Sequence, residues 1–430
     1  VNGDRPGQAH CLLMVRLNNY AAVSAAYGDA AAAAAMDHLC GALRAELPAP
    51  AKAHVERDEI ELLLAHYPLK SFPMAAEVDR LCAALAAMPF HHGGQDILLS
   101  LSAGYGVPGG LAAADEIMRN ARATLAAAIQ PQESLARRCA TGVALYREDM
   151  AQAALLVERA RQGGVRFAWQ PVVAAGDRGA VLHHEALLRV VGRRGEPMDG
   201  AEAYAALSRI GLAPVADRML LSAVLDELER DPAAVLSLPI SARSLSLNLH
   251  GRALGWTDLF ARLTRQGDVA RRLIVEIVEN GRIASLADAQ AFVAALRATG
   301  VRVAVAGFGC GYASIRDLQT LSPDMIKLHS AFMRTAGQLT GDGGQVRHLV
   351  ALARTISPLV IVTGIDAAAH LQLALAERPF GMSGSGIGRP SADRRGGRIA
   401  RVEAFLPSPG FHERRRRQAH NAYETAPVGS

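Results

Sequence analysis

The sequence predicts an α/β protein: a (β/α)8 TIM-like barrel preceded by a smaller α+β domain. Three observations carry the prediction. From about residue 165 to 390, short apolar strands alternate with helical periodicity eight times. Residues 10 to about 140 mix strand-like runs with alanine-rich helices on a less regular plan. A chain of 430 residues also exceeds what one ordinary core holds.

In the front region the strand-like runs are CLLMVRL, AHVERDEIELLL and DILLSLSAGYG. The stretch TGVALYREDMAQAALLVERARQGG then reads as a linking helix. The barrel strands read as FAWQPVV, HHEALLRV, LSLNL, LIVEIVE, VRVAVAG, MIKLH, LVIVTGI and a weaker run near MSGSGIG. The interval SLADAQAFVAALRATG shows how the helices between them are marked. A Ser or Asp caps the start, Phe292, Val293 and Leu296 share one face, and Gly300 ends it. These signals divide the chain into a front domain over 1–140, a linking helix over 141–165, a barrel over 166–408 and a basic, disordered tail over 409–430.

Composition narrows the class. Half the residues are hydrophobic, yet no apolar run approaches the ~18 residues of a membrane span and no signal segment opens the chain. The expected location is cytoplasmic. The five cysteines are odd in number, widely spaced and without CxxC, which argues for buried thiols over disulfides or zinc. The net charge of +5 is concentrated in RRGGRIAR and HERRRR near the C-terminus, read as a solvated end. No nucleic-acid-binding motif accompanies it, so nucleic acid is not an expected partner.

In a barrel of this kind, polar residues at the C-terminal ends of strands are the first candidates for chemistry. Here they are Gln170, Glu185, Arg189, Asn248, Glu276, Glu279, Lys327 and Asp366. Glu185, Asn248 and Glu276 together supply the oxygen ligands that Mg²⁺, Mn²⁺ or Ca²⁺ prefers. Lys327 adds a cation, and Arg189 suits bidentate grip of a phosphate. The same residue types also form structural ion pairs at strand ends, so the pattern alone supports either reading.

The ordered motifs WQPVV, HEALLRV, SLNLH, IVEIVEN, FGCGYASIRDLQTLSPDMIKL, VTGID and GIGRP resemble those of EAL domains. These are barrel phosphodiesterases that linearise the bacterial second messenger cyclic di-GMP. More faintly, MVRLNNYAAVSAAYGDAA and VERDEIELLL resemble the nucleotide-and-metal segment and the hairpin of a GGDEF domain, the diguanylate cyclase fold. The resemblance implies an EAL-type barrel behind a GGDEF-like domain. It also implies a ligand set of Gln170, Pro171, Leu187, Arg189, Asn248, Glu276, Lys327, Asp366 and Pro390. Glu279 matches the glutamate that supports the loop after strand five, a loop that also serves dimer contacts.

The departures from the family pattern are concentrated in the catalytic positions. Active members end strand five with two aspartates, which hold paired divalent cations; this chain has Ala306 and Gly307. A two-metal mechanism needs those carboxylates to hold the ions and acidify the attacking water. Lys-Ile-Asp becomes Lys327, Leu328 and His329; a glutamate becomes Thr363; a glutamine becomes Ser383. His329 reads as a hydrogen-bonded strand-end residue. What remains for metal is the remnant Glu185, Asn248 and Glu276, sufficient for at most one weakly bound Mg²⁺ or Mn²⁺, and no cofactor is required.

The front domain departs similarly. Glu56 and Arg57 replace the paired glycines of the hairpin, Asp58 and Glu59 persist, and Arg16 stands at the metal-binding aspartate. No Arg-x-x-Asp site precedes the hairpin, where the chain reads LPAPAKAHV. Losing one acid–base group costs roughly 10²–10⁴ in rate, and several are lost here. The sequence therefore predicts a catalytically inactive EAL-type protein acting as a cyclic di-GMP receptor or signalling effector. Its alternatives are a nucleotide-independent scaffold for an unidentified protein partner and a weak residual phosphodiesterase. A homodimer through the EAL domain belongs to the same expectation.

Overall fold

The computed structural model describes residues 9–47, 50–67, 74–107, 114–128, 140–191, 197–246, 248–249, 252–253, 256–278, 283, 285–311, 313–336, 344–394 and 398–399. The chain divides into two compact units. One comprises Val1–Val165, Gly200–Arg218 and Leu247–Asp258; the other comprises Arg166–Asp199, Met219–Ser246 and Leu259–Ser430.

The first unit is built on a four-stranded antiparallel sheet, in the order Pro50–Glu56, Glu59–Tyr67, Ala9–Leu17, Leu101–Gly106. Alternation puts Leu12 and Met14 on one face of the first strand, where they pack against Ala121 and Leu125 of the helix Ala114–Ala128. That helix lies so close to the last strand that a Cβ on Gly104 would sit 2.1 Å from the Leu125 amide nitrogen. Glycine there is what allows the contact. The helix Ala140–Arg161 lies within this unit. Its Tyr146 hydroxyl meets the buried Asn19 amide at 3.4 Å, and Asp149 pairs with Arg209 at 2.7 Å.

The second unit is an eight-stranded closed barrel. Its strands are Val165–Ala174, Ala180–Val191, Leu236–Ser241, Leu273–Val278, Arg302–Phe308, Met325–Leu328, Leu359–Val362 and Gly381–Met382, and pairing of the second with the third closes the ring. The third to eighth run parallel in sequence. The first strand departs from an all-parallel barrel, running antiparallel to the eighth. Its connection to the second strand spans only residues 175–179, too short for a crossover helix. Val172, Leu182, Ile274, Ala304, Met325 and Ile361 belong to one buried cluster. On the helix Leu286–Ala298, Ser285 accepts the Asp288 amide at 3.2 Å, Phe292, Val293 and Leu296 are buried, and Gly300 adopts φ +99° beyond the end.

Two expectations are corrected. The third strand is LSLPIS at Leu236–Ser241, not LSLNL; the latter is a 3-10 turn (Ala242–Ser246) followed by the two-residue strand Asn248–Leu249. Pro239 disguised the true strand, because proline withholds a ladder donor and argues against a central strand. The thiols are not all buried either: Cys11 and Cys40 are, whereas Cys310 is exposed. Among the described residues, no helix is long and apolar enough to cross a membrane.

Candidate functional site

Three strands bring three charges to one point. Glu185 comes from the second, Glu276 from the fourth and Lys327 from the sixth. The Lys327 ammonium donates to Glu185 Oε2 at 2.6 Å and to the two Glu276 oxygens at 2.7 and 2.8 Å. Lys327 is 3% exposed and Glu276 0%, so the cluster is shielded from water screening. Burial alone opposes the ammonium, but the charges of Glu185 and Glu276 outweigh it and hold Lys327 above its usual range. Burial, reinforced by Glu185, pushes the Glu276 carboxyl up against the pull of Lys327.

The neighbouring strand contributes no acid. Ala306 lies in register with Lys327, and a bulge follows before Phe308. The bulged residue is Gly307, whose φ of +86° suits glycine and strains any L side chain. The other replaced positions have taken structural roles. Thr363 donates its hydroxyl to the Leu328 carbonyl at 2.6 Å, and Ser383 is buried at the end of strand eight. His329 Nδ1 accepts the Ala331 amide at 3.2 Å, as a hydrogen-bonded strand-end histidine does.

The structure separates the remaining candidates. Asn248 is not on a barrel strand: Asn248–Leu249 pairs with Arg252–Ala253 in a separate two-stranded ribbon. Its side chain, and Glu279 altogether, lie outside the described residues. On the real third strand, Ser237 stands opposite Glu185 and Pro239 opposite Glu276, so no asparagine faces the cluster there. Gln170 donates to the carbonyls of Gly388 at 2.6 Å and Gly384 at 3.3 Å, and Pro171 packs under Gly388. Both brace the loop after strand eight. Asp366 accepts from the Ser385 amide at 2.9 Å and its hydroxyl at 2.8 Å, and these bonds hold its carboxyl below the usual range. Arg189 donates to the Leu188 carbonyl and pairs with Asp199 at 3.3 Å; Leu187 is half-buried and Pro390 exposed.

Sequence reasoning missed His183. It is 1% exposed, with Nε2 4.0 Å from Glu276 Oε1. Burial first, then the charges of Lys327 and Arg302, keeps the imidazole neutral. The signal was available, since strand alternation puts His183 on the same face as Glu185. In the first unit, the Arg16 guanidinium reaches Asp58 at 3.1 Å and Glu59 at 3.7 Å across the hairpin turn. The retained acids thus meet a cation fixed to the chain.

The donor set does not fit a pair of divalent ions. Both glutamates are bonded to Lys327, the third strand offers Pro239, and the fifth offers Ala306 and Gly307. Among the described residues, no group of three or more His, Cys, Asp or Glu is arranged to hold a metal. The cluster engages the Lys327 ammonium with Glu185 and Glu276; it cannot hold two ions astride a water.

Such a barrel, with glutamate, glutamate and lysine converging from three strands, defines a class, and the comparisons agree with it. Residues 150–390 match the EAL domain family, more than half of the chain. The protein belongs to the EAL domain family. An uncharacterized protein of Mycobacterium tuberculosis is 30% identical over 188 residues, 42% of this chain and 29% of that one. The RNase E specificity factor CsrD of Escherichia coli is 24% identical over 230 residues, 54% of this chain and 34% of that one. The chain thus spans about a third or less of the length of these curated relatives. Among solved structures, the apo LapD S helix-GGDEF-EAL of Vibrio cholerae aligns over 89% of this chain and 90% of that one, at 14% identity and TM-score 0.48. The FimX EAL domain of Pseudomonas aeruginosa bound to c-di-GMP aligns over 56% and 97%, at 22% identity and TM-score 0.47.

Proposed function

We propose that this chain is a non-hydrolytic EAL-type protein that binds cyclic di-GMP as a receptor or signalling effector. One observation supports this above the others: the Lys327 ammonium bonds both remaining glutamates, while the adjacent strand end carries Ala306 and Gly307. A metal-dependent hydrolase needs free carboxylates at that point. Absence of the two aspartates also removes like-charge repulsion toward the ligand's phosphates when no metal neutralises them. In this reading no cofactor is required, the front unit is a GGDEF-like domain without cyclase activity, and the working division remains 1–140, 141–165, 166–408 and 409–430.

The test uses one protein sample twice. Calorimetric titration with cyclic di-GMP is expected to give the same affinity in Mg²⁺ and in EDTA, and incubation with Mn²⁺ at high protein concentration to leave the dinucleotide intact. Turnover at ordinary enzyme rates would overturn the reading. No binding at tens of micromolar ligand favours a second one: a scaffold that engages a protein partner without nucleotide. Its support is that Gln170 and Arg189, both in the implied ligand set, are engaged with Gly388 and Asp199.

A further inference from the structure

We propose that the segment Ser391–Arg394 is a strap that holds the loop after strand eight in place at the barrel mouth. The first two strands form a hairpin, so no crossover helix follows the first strand. Described residues beyond strand eight meet these two strands instead. Ser391 exchanges backbone hydrogen bonds with Trp169, at 2.7 and 3.3 Å. The Arg394 guanidinium lies 4.6 Å from the centroid of the Trp169 ring and pairs with Glu227 and Asp231, each at 3.1 Å. Arg398–Ile399 then pairs with Ala180–Val181 at the start of the second strand.

In sequence Arg394 opens a basic run expected to be solvated, yet its side chain is only 16% exposed. A guanidinium stacked on an indole and neutralised by two carboxylates is an anchor, not a tail residue. The anchor bears directly on the mouth. Trp169 immediately precedes Gln170, whose amide holds the carbonyls of Gly384 and Gly388. Two residues separate Gly388 from Ser391, so the loop is fastened at one end by Gln170 and at the other by the strap. Gly386 donates to Ile365 at 2.8 Å, which extends the hold to the connection after strand seven. Freeing Arg394 therefore loosens both fastenings together, because they share adjacent residues of one strand. The strap thereby controls whichever ligand or partner the mouth receives.

Amide hydrogen exchange on the full chain tests it, with Arg394→Ala as the first variant. Exchange at the Ser391, Trp169 and Gly386 amides is expected to quicken about tenfold, the size supplied by a cation–π stack with partly buried ion pairs. The Val303 amide of strand five is expected to be unchanged. Faster exchange at Ser391 with Gly386 unaltered would overturn the strap and leave a local clamp. If Arg394→Ala quickens every amide, Asp231→Asn, which keeps the stacked guanidinium, decides by the same comparison. The effect on ligand rests on the proposed function: cyclic di-GMP affinity is expected to weaken about tenfold in Arg394→Ala. A wild-type protein that binds no cyclic di-GMP removes that function while the exchange result still judges the strap.

Discussion

Lys327 is the residue on which the barrel's charge balance turns. Replacing it with methionine leaves Glu185 and Glu276 facing each other, with Glu276 fully buried. Breaking a buried pair by removing one partner costs about 3–5 kcal/mol. The pH dependence follows from Glu276, whose carboxyl burial already pushes up and Lys327 pulls down. Without Lys327 the folded-state value rises further above the unfolded one. The variant's stability is then fullest below the ordinary glutamate range and is lost as pH rises through the raised value. Urea unfolding of Lys327→Met is expected to show a deficit that widens between pH 5 and pH 8; a deficit constant across that range means that the ammonium does not hold the pair. At the neighbouring position, Gly307→Asp is expected to lower stability by about 1–3 kcal/mol, because φ +86° penalises a side chain. Ala306→Asp, on a regular strand residue, is expected to cost less, and thermal unfolding of the two variants side by side measures the difference.

At the scale of elements, the hairpin of the first unit gives a test free of the barrel. Arg16 on the first strand ties down the turn between Pro50–Glu56 and Glu59–Tyr67 through Asp58 and Glu59. These pairs are partly exposed, so each contributes about 0.2–1 kcal/mol and is screened by salt. Arg16→Asp converts attraction to repulsion, and its loss of stability is expected to shrink from 50 mM to 1 M NaCl. A loss indifferent to salt would place the role of Arg16 in packing. What could be read in advance also differs by element. Strands with a clean apolar run, such as VRVAVAG, and helices with a capping serine, such as Leu286–Ala298, were legible because local chemistry agrees with the fold. Leu236–Ser241 was not, since Pro239 contradicts the local rule and only its two neighbours establish it as a strand. The same misreading put Asn248 at the site. Glu185, Glu276 and Lys327 were legible because strand-end position and charge are local facts. That Lys327 bonds both glutamates and that Arg394 stacks on Trp169 depends on contacts 51, 142 and more than 200 residues apart, which no local pattern encodes.

For the whole molecule, the proposed absence of hydrolysis can be traced to the number of strand ends involved. If the proposed inactivity rested on one replaced acid alone, restoring that acid would give hydrolysis. The geometry argues otherwise, because the deficits lie on separate strands. The third offers Pro239 opposite Glu276, the fifth offers Ala306 and a bulged Gly307, and Thr363 at the seventh is bonded to Leu328. Meanwhile Lys327 is paired with both Glu185 and Glu276. Groups that act as a unit are grossly non-additive, so restoring one member of an incomplete set recovers little. The double variant Ala306→Asp, Thr363→Glu is accordingly expected to fold and still leave cyclic di-GMP uncut in Mn²⁺, as judged by chromatography of the dinucleotide after prolonged incubation. Linear product from that variant at rates well above the wild type would show that the third strand and Gly307 are not limiting. The distance to catalysis would then be two side chains, and the bulge in strand five a tolerated detail rather than a barrier.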